Sequence, residues 1–394
     1  MEGSQETNRR LNAIRREGER VTPLELFFDL VFVLAITQCT ALMSHNQTWE
    51  GLTQGLLVLG VLWWAWVGYA WLTSVIDPEA DQVRLVIFAA MAAMLIVSLA
   101  VPEAFGDLAI VFALAIGFYR LAHIALFFLA GADDKDLFRS VVGLAVSTAV
   151  AVGLLVLASL FDGLAQGSLW ALAIFLDMAG PYFFGADGWK IVPGHFAERH
   201  GLIVIIALGE SIVAIGVGAS GALDLGIGAA AVLGIFLAAA LWWTYFDVVA
   251  LVSARRLGEA EVGREQNELA RDSYSYIHVL MVAGIVLIAL GLKVTIGHYD
   301  EHLHYEAAFA LLGGIATFLI GLVAFRYRHV HSVNRHRLGL AIVLLFLIPV
   351  ATAIPALATL IVAEVLLWAM IAFENRGYGP GRAEFRREAS AAHS

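Results

Sequence analysis

Ten ionisable side chains sit within long apolar stretches of this chain: Glu25, Asp29, Arg120, His123, Asp177, Glu198, Glu210, Asp247, His278 and Glu364. A charge in such a setting is costly, and proteins keep one there for pairing, ion passage or proton transfer. Glu25 and Asp29 stand in the segment VTPLELFFDLVFVLAITQ, Val21 to Gln38. At i and i+4 they share one helix face. Thr22 can cap a helix that begins at Pro23, and an acid in its first turn suits the helix dipole. Capping can account for Glu25, and a functional role for it is the equal alternative. Asp29 lies a turn deeper, among Phe27, Phe28, Leu30 and Val31, and calls for an interior polar partner.

A second dense segment reads PGHFAERHGLIVIIALGESIVAIG from Pro193. It places His195 and Glu198 at i, i+3, and then Glu210 between Gly209 and Ser211. Twelve residues separate the two glutamates, roughly 18 Å of helix. A buried Glu210 must be paired or protonated. Arg120, mid-way through FYRLAHIALFF with His123 beside it, is the expected mate. Such a pair serves either as a structural salt bridge or as part of a proton or ion relay. His195 and Glu198 also form half of a metal-binding pattern, but carboxylate-bridged metal bundles need several such pairs converging. His298, His302, His304, His329, His331 and His336 fall in connecting loops. No metal and no cofactor is expected. There is no phosphate-binding glycine loop, no CxxC and no serine nucleophile elbow, so no enzyme is expected. Basic residues concentrate where topology alone places them, and nucleic acid is not an expected partner.

The elements carrying these groups follow from composition. The chain has 394 residues, 60% hydrophobic and 15% charged, with a mean hydropathy of +0.81. Soluble chains carry roughly a quarter charged residues. Apolar stretches of about 20 residues recur from end to end, as in membrane-spanning helices. Twelve spans are expected, near 24–43, 52–74, 84–102, 107–130, 138–161, 168–185, 200–218, 226–250, 273–293, 304–325, 338–354 and 357–373. The last two come from one apolar stretch divided at Pro355, since it is too long for one crossing. The first run is too long for a signal peptide, lacks a clear cleavage site and is expected to be retained. With the N-terminus inside, 22 of the 24 Lys and Arg fall on the inner side, and Arg120 and Lys293 fall in or at the end of spans. This distribution places both termini in the cytoplasm. The single cysteine, Cys39, excludes an intrachain disulfide.

The chain also repeats itself. LWWAWVGYA from Leu62 lies over LWWTYFDVVA from Leu241, and Glu25 lies over Glu198. Six spans per half is an even number, so both halves would insert in the same orientation, as parallel repeats. The expected organisation is a basic tail (1–20), a first six-helix repeat (21–185), a second (186–373) and a C-terminal tail (374–394). The fold class is an all-α polytopic membrane protein of about twelve transmembrane helices.

Together, the two quoted segments resemble the bacterial low temperature requirement protein A family, LtrA, over about residues 20 to 373. The resemblance implies a multi-pass plasma-membrane protein linked to growth in the cold. A fainter similarity in the first span is to potassium channels of the endosomal and lysosomal type. Phe27, Phe28 and Asp29 would match their Phe-Ser-Asp, Val31 and Phe32 their Val-Phe, and Ala35, Ile36 and Thr37 their Ala-Ile-Thr. Phe28 replaces the serine, Leu30 the usual glycine, and Gly201-Leu202 stands where a second Phe-Ser-Asp belongs. This similarity supports architecture more than potassium selectivity. It implies that the first and seventh spans line a path, with Leu34 and Ile36 as a hydrophobic constriction, and it implies a homodimer.

The expected function is movement of an ion or small solute across the bilayer. Glu25, Asp29, Arg120, His123, His195, Glu198, Glu210 and Ser211 are the candidate polar core. The alternatives are a membrane sensor or scaffold that transports nothing, and an intramembrane lipid-acting enzyme built on His195 and Glu198.

Overall fold

The computed structural model describes residues 20–130, 134–183, 188–220 and 224–392. The predicted N-terminal tail, Arg20 apart, lies outside them. Among the described residues the regular structure is helical. The helices are α1 (Pro23–His45), α2 (Trp49–Val75), α3 (Asp81–Ala100), α4 (Ala109–Ala130), α5 (Lys135–Ala158), α6 (Gly163–Phe183), α7 (Pro193–Gly218) and α8 (Leu225–Phe246). There follow α9 (Val249–Glu259), α10 (Arg264–Leu269), α11 (His278–Gly297), α12 (Tyr305–Ala308), α13 (Gly314–Val330), α14 (Arg335–Ala351) and α15 (Ala356–Ala392). A π-helical stretch, Ala270–Ile277, joins α10 to α11, and a second, Phe309–Gly313, joins α12 to α13.

Eleven of the described segments are long and apolar enough to cross a membrane. The expected span not among them, 338–354, corresponds to α14, a helix of 17 residues. At 1.5 Å per residue it reaches roughly 26 Å, at the short limit for a crossing. The division expected at Pro355 is present: α14 ends at Ala351 and α15 begins at Ala356. Helix α15 runs past the end of the last expected span, residue 373, to Ala392. The seventh span starts at Pro193 rather than near residue 200. Arg199, assigned by hydropathy to an inner loop, is thus an intrahelical residue. Its charge masks the helix in an apolar count.

The chain forms two compact units. One comprises 20–42, 53–200 and 258–271, and the other 43–52, 201–257 and 272–392. In the first, α3 packs on α4, α4 on α5 and α5 on α6. Neighbours joined by short loops lie antiparallel. α2 is its most enclosed helix, burying Val58, Leu62, Trp66, Tyr69, Ala70 and Leu72. In the second unit α11 is buried on every side: Met281, Val282, Ile285, Ile288, Ala289 and Leu292 have almost no exposed surface. A helix apolar all round belongs in an interior. Peripheral helices turn large apolar side chains outward, such as Leu85, Leu121, Phe175 and Phe346. That is the surface a lipid environment accepts.

Helix starts are set locally. Thr22 and Glu25 form a capping box: the Glu25 N–H donates to Thr22 Oγ1 and the Thr22 N–H to Glu25 Oε2. It satisfies two N–H groups that the first helical turn leaves open. Asp134, Asp224 and Asn334 cap α5, α8 and α14. Within the second unit α11 and α13 approach backbone to backbone. A Cβ on Gly284 would stand 2.7 Å from both the Gly314 carbonyl oxygen and the Phe318 nitrogen. Glycine interfaces of this kind replace the hydrophobic drive that lipid removes.

Two outcomes follow. Gly284→Ala should destabilise by about 1–3 kcal/mol, because backbone atoms must give way. Gly153→Ala, in open space on α5, should be neutral or stabilise by up to about 1 kcal/mol. Reversible unfolding in detergent measures both. Asp134 accepts from the Leu137 and Asp136 N–H groups and from Lys190, and the Leu137 bond, before the lysine, holds its carboxyl below the ordinary value. A carboxyl depressed in the native state stabilises above its unfolded pKa, and the contribution fades as pH falls through the native value. Asp134→Ala should therefore cost about 1 kcal/mol at neutral pH, and the difference from wild type should shrink in acid.

Candidate functional site

The face of α1 that carries Glu25 and Asp29 meets a face of α7 that carries His195 and Arg199. Each pair is spaced i, i+4, so two acids one turn apart oppose two bases one turn apart. His195 Nε2 lies 2.8 Å from Glu25 Oε1. Arg199 donates through one terminal nitrogen to Glu25 Oε1 at 3.0 Å, and through the other to Asp29 Oδ1 at 2.8 Å. α2 supplies the remaining contacts. The Trp66 indole N–H donates to Asp29 Oδ1 at 2.9 Å, and its ring centroid lies 5.7 Å from the Arg199 guanidinium carbon. Thr73 Oγ1 accepts from Arg199, and Ser74 Oγ stands 2.8 Å from His195 Nδ1. Glu25 and Asp29 are 1% exposed, and Ser74, His195 and Arg199 are fully enclosed. Asp29 Oδ2 is buried without a hydrogen-bond donor.

Proton positions follow from this geometry. Glu25 accepts from Arg199 and from the Thr22 N–H, as an ionised carboxylate does. His195 Nε2 then carries the hydrogen it shares with Glu25. Nδ1 is left to accept from the Ser74 hydroxyl. Two carboxylates face one guanidinium that cannot lose its proton and one imidazole that can. The cluster reaches neutrality when His195 takes a second proton. The order Ser74–His195–Glu25 is also that of a nucleophile, a base and an orienting acid.

A second buried pair stands apart within the same unit. Arg120 on α4 donates to both carboxylate oxygens of Asp177 on α6 at 3.1 Å, to Thr148 Oγ1 and to the Trp64 carbonyl. Thr148 in turn donates to Asp177. The expected mate of Arg120, Glu210, is thus corrected to Asp177, which pairs with the guanidinium from within the same unit. The pair borders a cavity of about 30 Å³ walled by apolar residues such as Val61, Ile116 and Leu155. That volume holds a water molecule or two.

The other expected residues are placed as follows. His123 is enclosed between the rings of Tyr69 and Phe127, one turn from Arg120. Glu198 is exposed and accepts from the Val21 N–H, so the acid beside His195 is Glu25 and not Glu198. Glu210 and Ser211 are buried further along α7. Leu34 and Ile36 are two positions apart on α1 and point to different sides; Ile36 is buried and Leu34 partly exposed. Among the described residues no three His, Cys, Asp or Glu side chains are grouped to hold a metal. Sequence reasoning left Arg199, Ser74 and Trp66 out of the site. One signal was available: His195 and Arg199 repeat, with opposite sign, the spacing of Glu25 and Asp29.

Removing Arg199 would strand two buried carboxylates. Arg199→Gln should cost about 3–5 kcal/mol, as breaking a buried ion pair does. Adding Asp29→Asn to that variant should restore part of the loss. Additive losses in detergent unfolding would show that the two residues do not interact.

A chain described as an uncharacterized protein of Rhizobium meliloti (strain 1021) is 28% identical over 376 residues, covering 89% of each chain. No solved structure matches. The family model for bacterial low temperature requirement A protein matches residues 20–372, which includes every residue of the charged cluster. A multi-span helical protein with that match along nearly its whole length belongs to the LtrA family.

Proposed function

We propose that this protein moves an ion or small solute across a bacterial plasma membrane, and that proton exchange at His195 is the coupled step. One observation carries the reading. The enclosed cluster holds two carboxylates against one fixed positive charge, and an imidazole bonded on both sides completes the balance. An unbalanced charge in an apolar interior is unfavourable by several kcal/mol. The cluster therefore answers to the presence of a proton or another cation, and a neutral ion pair does not.

The relay has defined steps. With His195 neutral, Ser74 donates to Nδ1. When a proton arrives at Nδ1, the Ser74 hydroxyl rotates and accepts instead, while Nε2–H still donates to Glu25. The histidine changes charge without losing a hydrogen bond. The excess attraction to Glu25 then competes with Arg199, which is free to lean toward Asp29. A shift of pairing between Glu25 and Asp29 across one helical turn is the proposed link to α1 and α7. The relay thus centres on His195 in place of the Glu210 suggested by sequence, because the partners of His195 are defined on both ring nitrogens.

The same Ser74–His195–Glu25 sequence supports a second reading, acyl transfer with Ser74 as nucleophile. Enclosure of Ser74 favours the relay, since a substrate carbonyl needs an approach. A fluorophosphonate probe separates the two. Labelling of wild type that is lost in Ser74→Ala would favour acyl transfer.

The transport reading is tested in proteoliposomes under a potassium diffusion potential with a trapped pH-sensitive dye. Wild type should pass protons above the empty-vesicle rate. His195→Gln, checked for folding by gel filtration, should fall to that rate. Ser74→Ala should slow the flux on the order of 10²-fold, the range of a lost acid–base partner. Undiminished flux in folded His195→Gln would remove the histidine from the pathway.

A further inference from the structure

Outside the charged cluster, three acids that are buried or part-buried among the helices are matched by a base. Arg120 holds Asp177, Arg328 holds Asp272, and Arg337 holds Glu374 through two bonds near 3 Å while also donating to the Thr244 carbonyl. Glu364 differs. It lies on α15, ten residues before Glu374, and is 4% exposed. Both its carboxyl oxygens are buried, and neither has a hydrogen-bond partner.

α15 packs on α8, α11 and α14. The charged and titratable groups of those helices are Tyr245 on α8, His278 and Lys293 on α11, and Arg335, His336 and Arg337 on α14. Tyr245 and His278 bond to each other, and Arg337 is committed to Glu374. None of the six donates to Glu364. On α15 itself, the Trp368 indole N–H, one turn on, is the neighbouring donor, but it brings no charge and makes no well-formed hydrogen bond to the carboxyl. The flanking Ile361 and Val365 are exposed apolar side chains, on the side of the helix that faces lipid.

An isolated carboxylate in such surroundings is highly unfavourable. Two ligands could relieve it. A hard metal cation takes six or more oxygen ligands, and Glu364 offers two with no other side-chain oxygen bonded to it. A proton needs only the one carboxyl. We propose that Glu364 is a proton-binding site within the second unit, separate from the charged cluster of the first, with the carboxyl held as the neutral acid.

A neutral acid has a reactivity that an ionised one lacks. Its O–H adds across one C=N bond of a carbodiimide: the oxygen bonds to the central carbon and the proton goes to nitrogen. The acyl group then migrates from oxygen to nitrogen and leaves a stable N-acylurea, with no group expelled. Hydrophobic carbodiimides dissolve in the bilayer and reach acids there.

Two measurements on the full-length protein in proteoliposomes test the proposal. Infrared difference spectra at neutral pH, wild type against Glu364→Gln, should show the carbonyl stretch of a carboxylic acid lost in the variant. A difference confined to carboxylate bands would overturn it. The second measurement needs only wild type. After treatment with dicyclohexylcarbodiimide, peptide mass spectrometry should find Glu364 modified and Glu374, held by Arg337, unmodified. Modification of Glu374 ahead of Glu364, or of neither, would overturn it as well. Neither readout depends on transport, so the outcome stands apart from the function proposed for His195.

Discussion

A charge taken into a medium that cannot solvate it must meet its opposite there. That constraint orders this protein. Its interior acids and bases occur mainly as short-range pairs that join helices far apart in sequence: Glu25 and Asp29 to Arg199, Asp177 to Arg120, Glu374 to Arg337. Lipid removes the hydrophobic drive between helices. Interhelical ion pairs and close glycine contacts such as Gly284 against Gly314 then set which helices associate and in which register.

The cluster of the first unit shows how such a constraint becomes a device. A helix presents every fourth residue on one face, so an acid doublet on α1 can meet a basic doublet on α7 only in one register. Trp66, Thr73 and Ser74 on α2 add hydrogen bonds to Asp29, Arg199 and His195. A rigid pair of charges would only hold the helices together. One member of this set is a histidine, so its charge balance changes with a single proton. The Arg120–Asp177 pair is balanced on its own and borders only a small cavity. Its hardware is that of a fastener, and the proton-responsive element lies with His195.

Much of the fold was legible in the sequence. Apolar runs placed the spans within a few residues, and Pro355 marked the break between α14 and α15. The start of α7 was missed because three charged or polar residues in its first two turns look like a loop to any hydropathy count. His195 and Arg199 are tolerated inside because α1 carries matching acids, which a local reading cannot register. The need of Asp29 for an interior polar partner was also legible, since a short acid a turn inside an apolar helix has no local cap. The identity of that partner was not.

By itself, the sequence determined an all-helical membrane protein, its approximate spans, the LtrA resemblance and the short set of ionisable groups that the bilayer makes consequential. These follow from composition and local periodicity, which need no knowledge of neighbours. Tertiary structure decided the pairing: Arg120 with Asp177 and not Glu210, His195 with Glu25 and not Glu198, and Glu364 with no base. Pairing depends on which helix faces turn toward one another. That is a long-range packing outcome, and residues 170 or more positions apart carry no local sign that they will meet.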